Sequence, residues 1–509
     1  MFSAWLNLGL VLFSNLVRFG LVMVKVFFVL AYNDMHMRDF ERRQHLLDFN
    51  PWWRDARRWQ ERDPDLREAR LNALASYDPH PLRDIALGSL YLLMGPRRAG
   101  KSVAMKHAIA GLLGQSMDPR RIVFCPCEDL SPQDLRRIVK LAEDLTPGID
   151  PEQRYWFFDE ITYVSSWAAA LKQLRDQTSL RSGCVVATGS SGAKLREAQG
   201  ELGGREGEAG GVRLLLPMGF RAFVHEIYPN LAANLPEGAL ALLDLQSAGA
   251  GRYLEPLAVQ VDQLVLAWER YLTIGGFPRA VADALERVDV QATTANGLWN
   301  ILVGDVLRVG SMSDRDVKAL LQRLVAGMGS PISVAGIAKS LNIGARNTVE
   351  DRVDRLCASF YAWRASITHD GATAVAGGQS KLYLIDPLIA RLPSLRDRSV
   401  ASPDVTYLSE QQLGVSLLRV VARAEPLAIL DEAAILVQRN PDTGGEIDFV
   451  GPLIETPIES KYVSQKWMQS GKALDEHYQR GIIATRDILD LSKDIWAVPT
   501  GLLAWAIDG

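Results

Sequence analysis

The stretch Leu90-Tyr91-Leu92-Leu93-Met94-Gly95-Pro96-Arg97-Arg98-Ala99-Gly100-Lys101-Ser102 decides the fold of this chain. Its first five residues are an unbroken apolar run of strand length, and its last eight fit G-x-x-x-x-G-K-[ST]. In that pattern Gly95 and Gly100 let the backbone turn so that successive N–H groups point inward and cradle a β-phosphate. Pro96, Arg97, Arg98 and Ala99 fill the loop between them. Lys101 sets a point charge against the β- and γ-phosphates, and the Ser102 hydroxyl is a ligand for Mg²⁺. The helical stretch Val103 to Leu113 follows at once, so the phosphates also meet a helix N-terminus. Strand, loop and helix in succession predict an α/β core that binds ATP with Mg²⁺.

Such a site needs an acidic partner at the end of a neighbouring buried strand. Tyr155-Trp156-Phe157-Phe158-Asp159-Glu160 supplies four bulky apolar residues followed by two carboxylates. Asp159 is the candidate to hold Mg²⁺ through its hydration shell, and Glu160 the candidate to orient and deprotonate the attacking water. A third buried strand, Cys184-Val185-Val186-Ala187-Thr188, ends in Gly189-Ser190-Ser191. Ser190 is placed to touch the γ-phosphate or that water; a plain Ser-rich turn is the alternative.

These strands and loops resemble the AAA-type ATPases of bacteria and archaea. The resemblance extends to Gly204-Arg205, to Leu216-Pro217-Met218-Gly219-Phe220-Arg221-Ala222-Phe223, to Phe49-Asn50-Pro51-Trp52-Trp53 and to Gly275-Gly276-Phe277-Pro278-Arg279. Within that group the chain is similar to a branch whose C-terminal domain, of unknown function, looks like a restriction endonuclease. The resemblance implies a helical lid, and it gives two arginines a role in neutralising the charge of phosphoryl transfer. Arg205 would be a finger reaching a neighbouring subunit, which requires a homo-oligomer. Pro278 and Arg279 would lie where the lid closes on adenine and phosphate. An ordinary surface ion pair is the alternative for each arginine, and Arg213 is a rival to Arg205.

A second constellation lies near the C-terminus. Gly445-Glu446-Ile447-Asp448-Phe449-Val450 and Pro457-Ile458-Glu459-Ser460-Lys461-Tyr462-Val463 read as a hairpin across a short connector. Alternation puts Glu446 with Asp448 on one face and Glu459 with Lys461 on one face. Asp448 and Glu459 then form a hard-oxygen pair suited to Mg²⁺, with Lys461 beside them to polarise water. Glu410, opening the helical stretch Glu410 to Arg423, is a candidate further carboxylate. A helix from Gln469 to Arg480 and a strand Gly481-Ile482-Ile483-Ala484-Thr485 complete a PD-(D/E)xK-like α/β domain. The alternative is a solvated hairpin face or a silent binding module.

Between the two regions, Ser333 to Leu341, the turn Asn342-Ile343-Gly344 and the longer helix Arg346 to Phe360 predict a winged helix-turn-helix. Val349, Val353 and Leu356 form its inner face. The outer residues of the second helix, Arg346, Asn347, Glu350, Asp351, Arg352 and Asp354, are not the basic face expected against DNA phosphates. A partner-docking role is therefore the rival to DNA contact.

Composition bounds the rest. A net charge of −4 over 509 residues gives no global basic footprint, so any contact with DNA must be local. Four cysteines make no disulfide framework, and reduced thiols in a cytoplasmic protein are the plain reading. Gly200 to Gly211 reads as a flexible loop near the nucleotide. The apolar stretch Phe2 to Tyr32 carries Arg18 and Lys25. A spanning helix needs about 20 apolar residues, and a central charge costs about 2.5–3.5 kcal/mol. A membrane anchor, a buried or interfacial helix, and an upstream extension with the working start at Met35 or Met37 all stand, the last being favoured. Membrane association, if present, runs through residues 1–33.

The expected order is an apolar segment at 1–34 and a helical lead-in at 35–85. An ATPase core at 86–230, a helical lid at 231–310, a winged-helix domain at 311–400 and a restriction-endonuclease-like domain at 401–509 follow. The expected activity is Mg-dependent ATP hydrolysis coupled to DNA processing. The alternative is a nucleotide-dependent switch or scaffold for protein partners.

Overall fold

The computed structural model describes residues 39–71, 74, 81–308, 313–341, 346–442 and 444–508. The apolar segment 1–34, the starts at Met35 and Met37, and the turn Asn342-Ile343-Gly344 lie outside them. No described helix is long and apolar enough to cross a membrane.

Five strands form the first sheet: β1 (Leu90–Met94), β2 (Ile122–Pro126), β3 (Tyr155–Asp159), β4 (Cys184–Gly189) and β5 (Gly211–Leu214). All pair in parallel, in the order β2-β3-β4-β1-β5. The continuous apolar runs follow from this arrangement, because a parallel sheet is covered on both faces. Leu90, Leu92 and Met94 enter one core while Tyr91 and Leu93 enter the other; Trp156 and Phe158 separate from Tyr155 and Phe157 in the same way. The helix leaving β1 spans Lys101–Gly114 and buries Ala104, Met105, Ile109 and Leu112 in the second core.

The lead-in protects the exposed edge of this sheet. Asn50 donates to the carbonyls of Leu46 and Phe124 at 2.8 and 2.9 Å, and its own oxygen takes the Phe124 N–H at 2.7 Å. The indoles of Trp52 and Trp53 both donate to the Ile122 carbonyl, at 3.1 and 2.8 Å. Edge groups of β2 that would otherwise be free are thus satisfied within the chain. Asn50→Ala orphans the buried Phe124 amide and is expected to cost about 1–3 kcal/mol in denaturant unfolding. A loss below that range would mean that water replaces the side chain.

The second sheet contains β6 (Ala362–Thr368), β7 (Ser380–Leu384), β8 (Leu436–Arg439), β9 (Glu446–Gly451), β10 (Ile454–Ser460), β11 (Gly481–Thr485) and β12 (Ile495–Pro499). Its order is β12-β11-β10-β9-β8-β6-β7. The hairpin β6–β7 follows the two helices Val334–Ser340 and Arg346–Ala358, and β6 pairs in parallel with β8. Strands from the expected winged-helix region and from the C-terminal region therefore share one sheet.

Val349, Val353 and Leu356 are fully buried, as their spacing predicts. The outer face differs from expectation. Arg352 is buried and paired with Asp351, while Glu350 and Asp354 reach Arg364 of β6 at 2.7 and 3.0 Å. These pairs tie the helix to β6 through the buried Arg364, while Asp351 and Asp354 stay exposed.

Two further elements depart from the sequence reading. Gly200 opens no loop: the helix Gly192–Leu202 runs through it, and the turn beyond lies at the entry end of β1, where the Leu90 N–H donates to Glu206 at 2.8 Å. The phosphate loop leaves the exit end of that strand, so Gly200 to Gly211 is not beside it. The last helix, Thr500–Ile507, is buried throughout and docks on the lid region. Arg221 stacks on Trp505 at 4.5 Å and donates to its carbonyl at 2.8 Å, and the Leu240 N–H donates to Ala506 at 2.7 Å. One hydrophobic core consequently runs from the first sheet through the lid to the second sheet.

Candidate functional site

The phosphate loop is shaped by close backbone approach. A Cβ on Gly95 would lie 2.0 Å from the Leu215 carbonyl oxygen, so only glycine lets the loop leave β1 beside the segment after β5. Gly100, at φ +100°, is the N-cap of the helix Lys101–Gly114.

Lys101 is buried, and its Nζ donates to the carbonyls of Gly95 and Pro96 at 3.0 and 3.1 Å. It also stands 3.4 Å from Glu160 Oε1. Burial pulls this ammonium below the ordinary lysine value, against the opposing pull of Glu160 and Asp159.

Thr188 organises the acidic side. Its hydroxyl donates to Asp159 Oδ1 at 2.6 Å and accepts from the Glu160 N–H at 2.8 Å. Burial pushes the Asp159 carboxyl up, while hydrogen bonds from Thr188 and Ser102 hold it down. Glu160 takes a left-handed backbone conformation at φ 51°, which turns its side chain out of the strand direction. Ser190 Oγ donates to Glu160 Oε2 at 3.2 Å. Ser102, Asp159, Glu160, Lys101 and Ser190 therefore meet at one end of β1, β3 and β4. Ser102 and Asp159 offer the hard oxygens that suit Mg²⁺, so the donor set fits a Mg-nucleotide. Nothing in the spacing of Thr188, at the end of β4, marks it as the joint between the two acids.

Two cavities flank the loop. The first, about 180 Å³, is lined by Arg97, Tyr163, Ser190, Lys194, Asp305 and Tyr361, with others. Arg97 is paired with Asp305, which sits in a π-helical turn spanning Ile301–Leu307. The Tyr361 hydroxyl donates to the Arg97 carbonyl at 3.3 Å. The second, about 250 Å³, is lined by Glu68, Arg98, Phe277, Arg279, Leu298 and Leu388, among others. Pro278 is the first residue of the helix Pro278–Glu286, and Arg279 reaches Glu68 at 3.2 Å and Asp283 at 3.3 Å. Arg279 and the loop residue Arg98 thus share a cavity.

Arg205 is placed differently. It forms a two-pronged pair with Asp176 at 2.8 and 2.9 Å, and its carbonyl accepts from Arg175, whose guanidinium also binds the Gly88 carbonyl. Gly88 precedes β1, so Arg205 lies near the entry end of the strands, roughly 17 Å from the loop at about 3.3 Å per residue. It takes no part in its own subunit's site. Arg213 stacks on Tyr91 at 4.4 Å.

The acidic residues of the second constellation also converge, though around a lysine. Ile458 pairs with Phe449, which sets Glu459 opposite Asp448. Glu410 arrives from the helix Val405–Ala424, longer at its start than Glu410 to Arg423. Lys381 of β7 places its Nζ 2.8 Å from Glu410 Oε1, 2.6 Å from Glu446 Oε1 and 2.8 Å from Asp448 Oδ1. Lys461 pairs with Glu459 at 2.6 Å. Among the described residues no group of three or more His, Cys, Asp or Glu side chains is arranged to hold a metal ion. At the expected metal pair Asp448 and Glu459, with Glu446 and Glu410 beside it, an ammonium therefore stands among the carboxylates as they are arranged.

Residues 88–224 match the AAA domain family, and residues 265–397 match a domain of unknown function, DUF8612. No curated relative matches the chain. Similar solved structures include the ORC1 protein of Aeropyrum pernix in complex with DNA, 13% identical over 67% of this chain and 93% of that one, with a TM-score of 0.28. The ORC2 protein of Aeropyrum pernix in ADPNP-ADP complexes is 11% identical over 67% and 95%, with a TM-score of 0.31. Hsp104 of S. cerevisiae in complex with casein is 14% identical over 63% and 54%, with a TM-score of 0.24. Scores this low carry no functional inference. The five-stranded parallel sheet, the phosphate loop and the Asp159–Glu160 strand all lie within the residues that match the AAA domain family.

Proposed function

We propose that this chain is a Mg²⁺-dependent ATPase whose nucleotide state is passed to its C-terminal half. The observation that carries this reading is the double attachment of the phosphate loop. Arg97 pairs with Asp305 through its side chain, and its carbonyl accepts from Tyr361 at the start of the second sheet.

In the geometry above, Lys101 would exchange the Gly95 and Pro96 carbonyls for phosphate oxygens. Ser102 and Asp159 would hold Mg²⁺, which when bound neutralises charge on the phosphates. Glu160, released from Lys101, would orient the attacking water and take its proton, with Ser190 fixing the carboxylate. Arg98 and Arg279 would face the nucleotide from the lid side. Arg205 would act only on a neighbouring copy, after leaving Asp176, which makes a homo-oligomer part of this reading. Four free cysteines suit a cytoplasmic setting.

A second reading has one observation in its favour: Asp448 and Glu459 do oppose each other across the β9–β10 pair, in the D…E-x-K order of DNA-cleaving domains. On that reading ATP turnover drives DNA processing, and added DNA should raise the hydrolysis rate. The lysine among the carboxylates weighs against cleavage.

Asp305→Ala tests the coupling. A part-exposed ion pair contributes only about 0.2–1 kcal/mol, so folding should be unchanged and ATP hydrolysis should stay within a few-fold. The expected loss is of ATP-dependent hydrogen-exchange protection around residues 359–365. Protection that persists in the variant would place the coupling elsewhere.

A further inference from the structure

Lys381 is 2% exposed and comes from β7, far in sequence from the acids it meets. An ammonium has three N–H donors. Here the three nearest acceptors are three different carboxylates, on the helix Val405–Ala424 and on β9, each between 2.6 and 2.8 Å. Glu410 and Asp448 accept hydrogen bonds from it, and Glu446 completes the set as an ion pair. Asp448 gives its other oxygen to the Ser460 N–H at 2.9 Å, and Glu459 Oε1 is taken by Lys461. One oxygen, Glu459 Oε2, is buried without a partner. A hard divalent cation takes about six oxygens, and one orphan does not make such a site. For a metal to enter, Lys381 would have to lose three ion pairs, two of them charge-assisted hydrogen bonds, and remain a buried, unpaired charge.

We propose that Lys381 is a tethered cation standing where a metal ion would otherwise sit, so that this centre ties β7 to β9 and the helix Val405–Ala424 and binds no divalent ion. The inference deepens the switch reading above and rests on it: the C-terminal half receives the nucleotide signal and cuts nothing.

The test is Mn²⁺ titration of the nucleotide-free full chain, read by electron paramagnetic resonance, on the wild type, Asp448→Asn, Lys381→Met and the double variant. The wild type and Asp448→Asn should bind the same number of ions. Lys381→Met should gain one site, which the double variant loses. An Asp448-dependent Mn²⁺ site in the wild type overturns the proposal, and so does a folded Lys381→Met that gains none. If Lys381→Met does not fold, the comparison of wild type with Asp448→Asn still decides. Plasmid nicking with Mn²⁺ that disappears in Asp448→Asn overturns it as well. ATP hydrolysis by the same preparations separates the two claims. Lys101-dependent turnover alongside an Asp448-dependent Mn²⁺ site sinks the tethered cation and leaves the ATPase standing. Absent turnover strikes the ATPase alone.

Discussion

Glu160→Gln should bind ATP at least as well as the wild type and hydrolyse it about 10²–10⁴ times more slowly, the range for loss of a positioned general base. The substitution keeps an amide oxygen that can still accept from Ser190, whose hydroxyl lies 3.2 Å from Glu160 Oε2. It keeps the backbone bond to Thr188 as well. What it removes is the negative charge 3.4 Å from Lys101 Nζ. Lys101 is then held only by two loop carbonyls and is freer to turn toward phosphate, so binding does not suffer. Single-turnover hydrolysis beside a nucleotide titration measures both quantities. A variant that binds ATP weakly but turns over its bound fraction at the normal rate would move Glu160 from the chemistry to binding.

Lys381→Ala should cost about 3–5 kcal/mol, the range for removing one partner of a buried ion pair. Three carboxylates lose their shared donor at once, and Asp448 is 3% exposed. Loss should be confined to the second sheet and the helix above it, since the phosphate loop shares no residue with this cluster. Native-state hydrogen exchange at β7 and β9 reads the local stability, which a single unfolding midpoint of a chain this size does not isolate. Lys381→Arg should recover part of the loss through its charge. A drop below about 1 kcal/mol would mean that the acids neutralise themselves by taking up protons.

The two sites differ in how openly the sequence carries them. Gly95, Gly100, Lys101, Ser102, Asp159 and Glu160 sit at strand ends fixed by local apolar runs, and local runs are what periodicity reads. Alternation puts Asp448 and Glu459 each on a face but does not pair them: Ile454 pairs with Gly451 and Ile458 with Phe449, so an irregularity within β10 sets the register. Lys381 was hidden because it reaches Glu410 across 29 residues and Asp448 across 67, in a strand whose pairing with β8 passes through β6. No spacing rule connects such residues. The same holds for Arg97 and Asp305, 208 residues apart. Arg352 differs for another reason: helical spacing places it outward, but it is buried and paired with Asp351. Arg205 follows β4 in the sequence but lies at the entry end of the strands in a surface ion pair with Asp176, so any part in phosphoryl transfer would need a neighbouring copy.

Steady-state ATP hydrolysis by the full chain with Mg²⁺, wild type against Lys101→Ala, tests the central claim most directly. Removing one preorganised charge from a phosphate site costs about 10²–10³ in rate, so the variant should fall to background while the wild type turns over. Equal rates in the two proteins would mean that the loop at Gly95–Ser102 is not where ATP is hydrolysed.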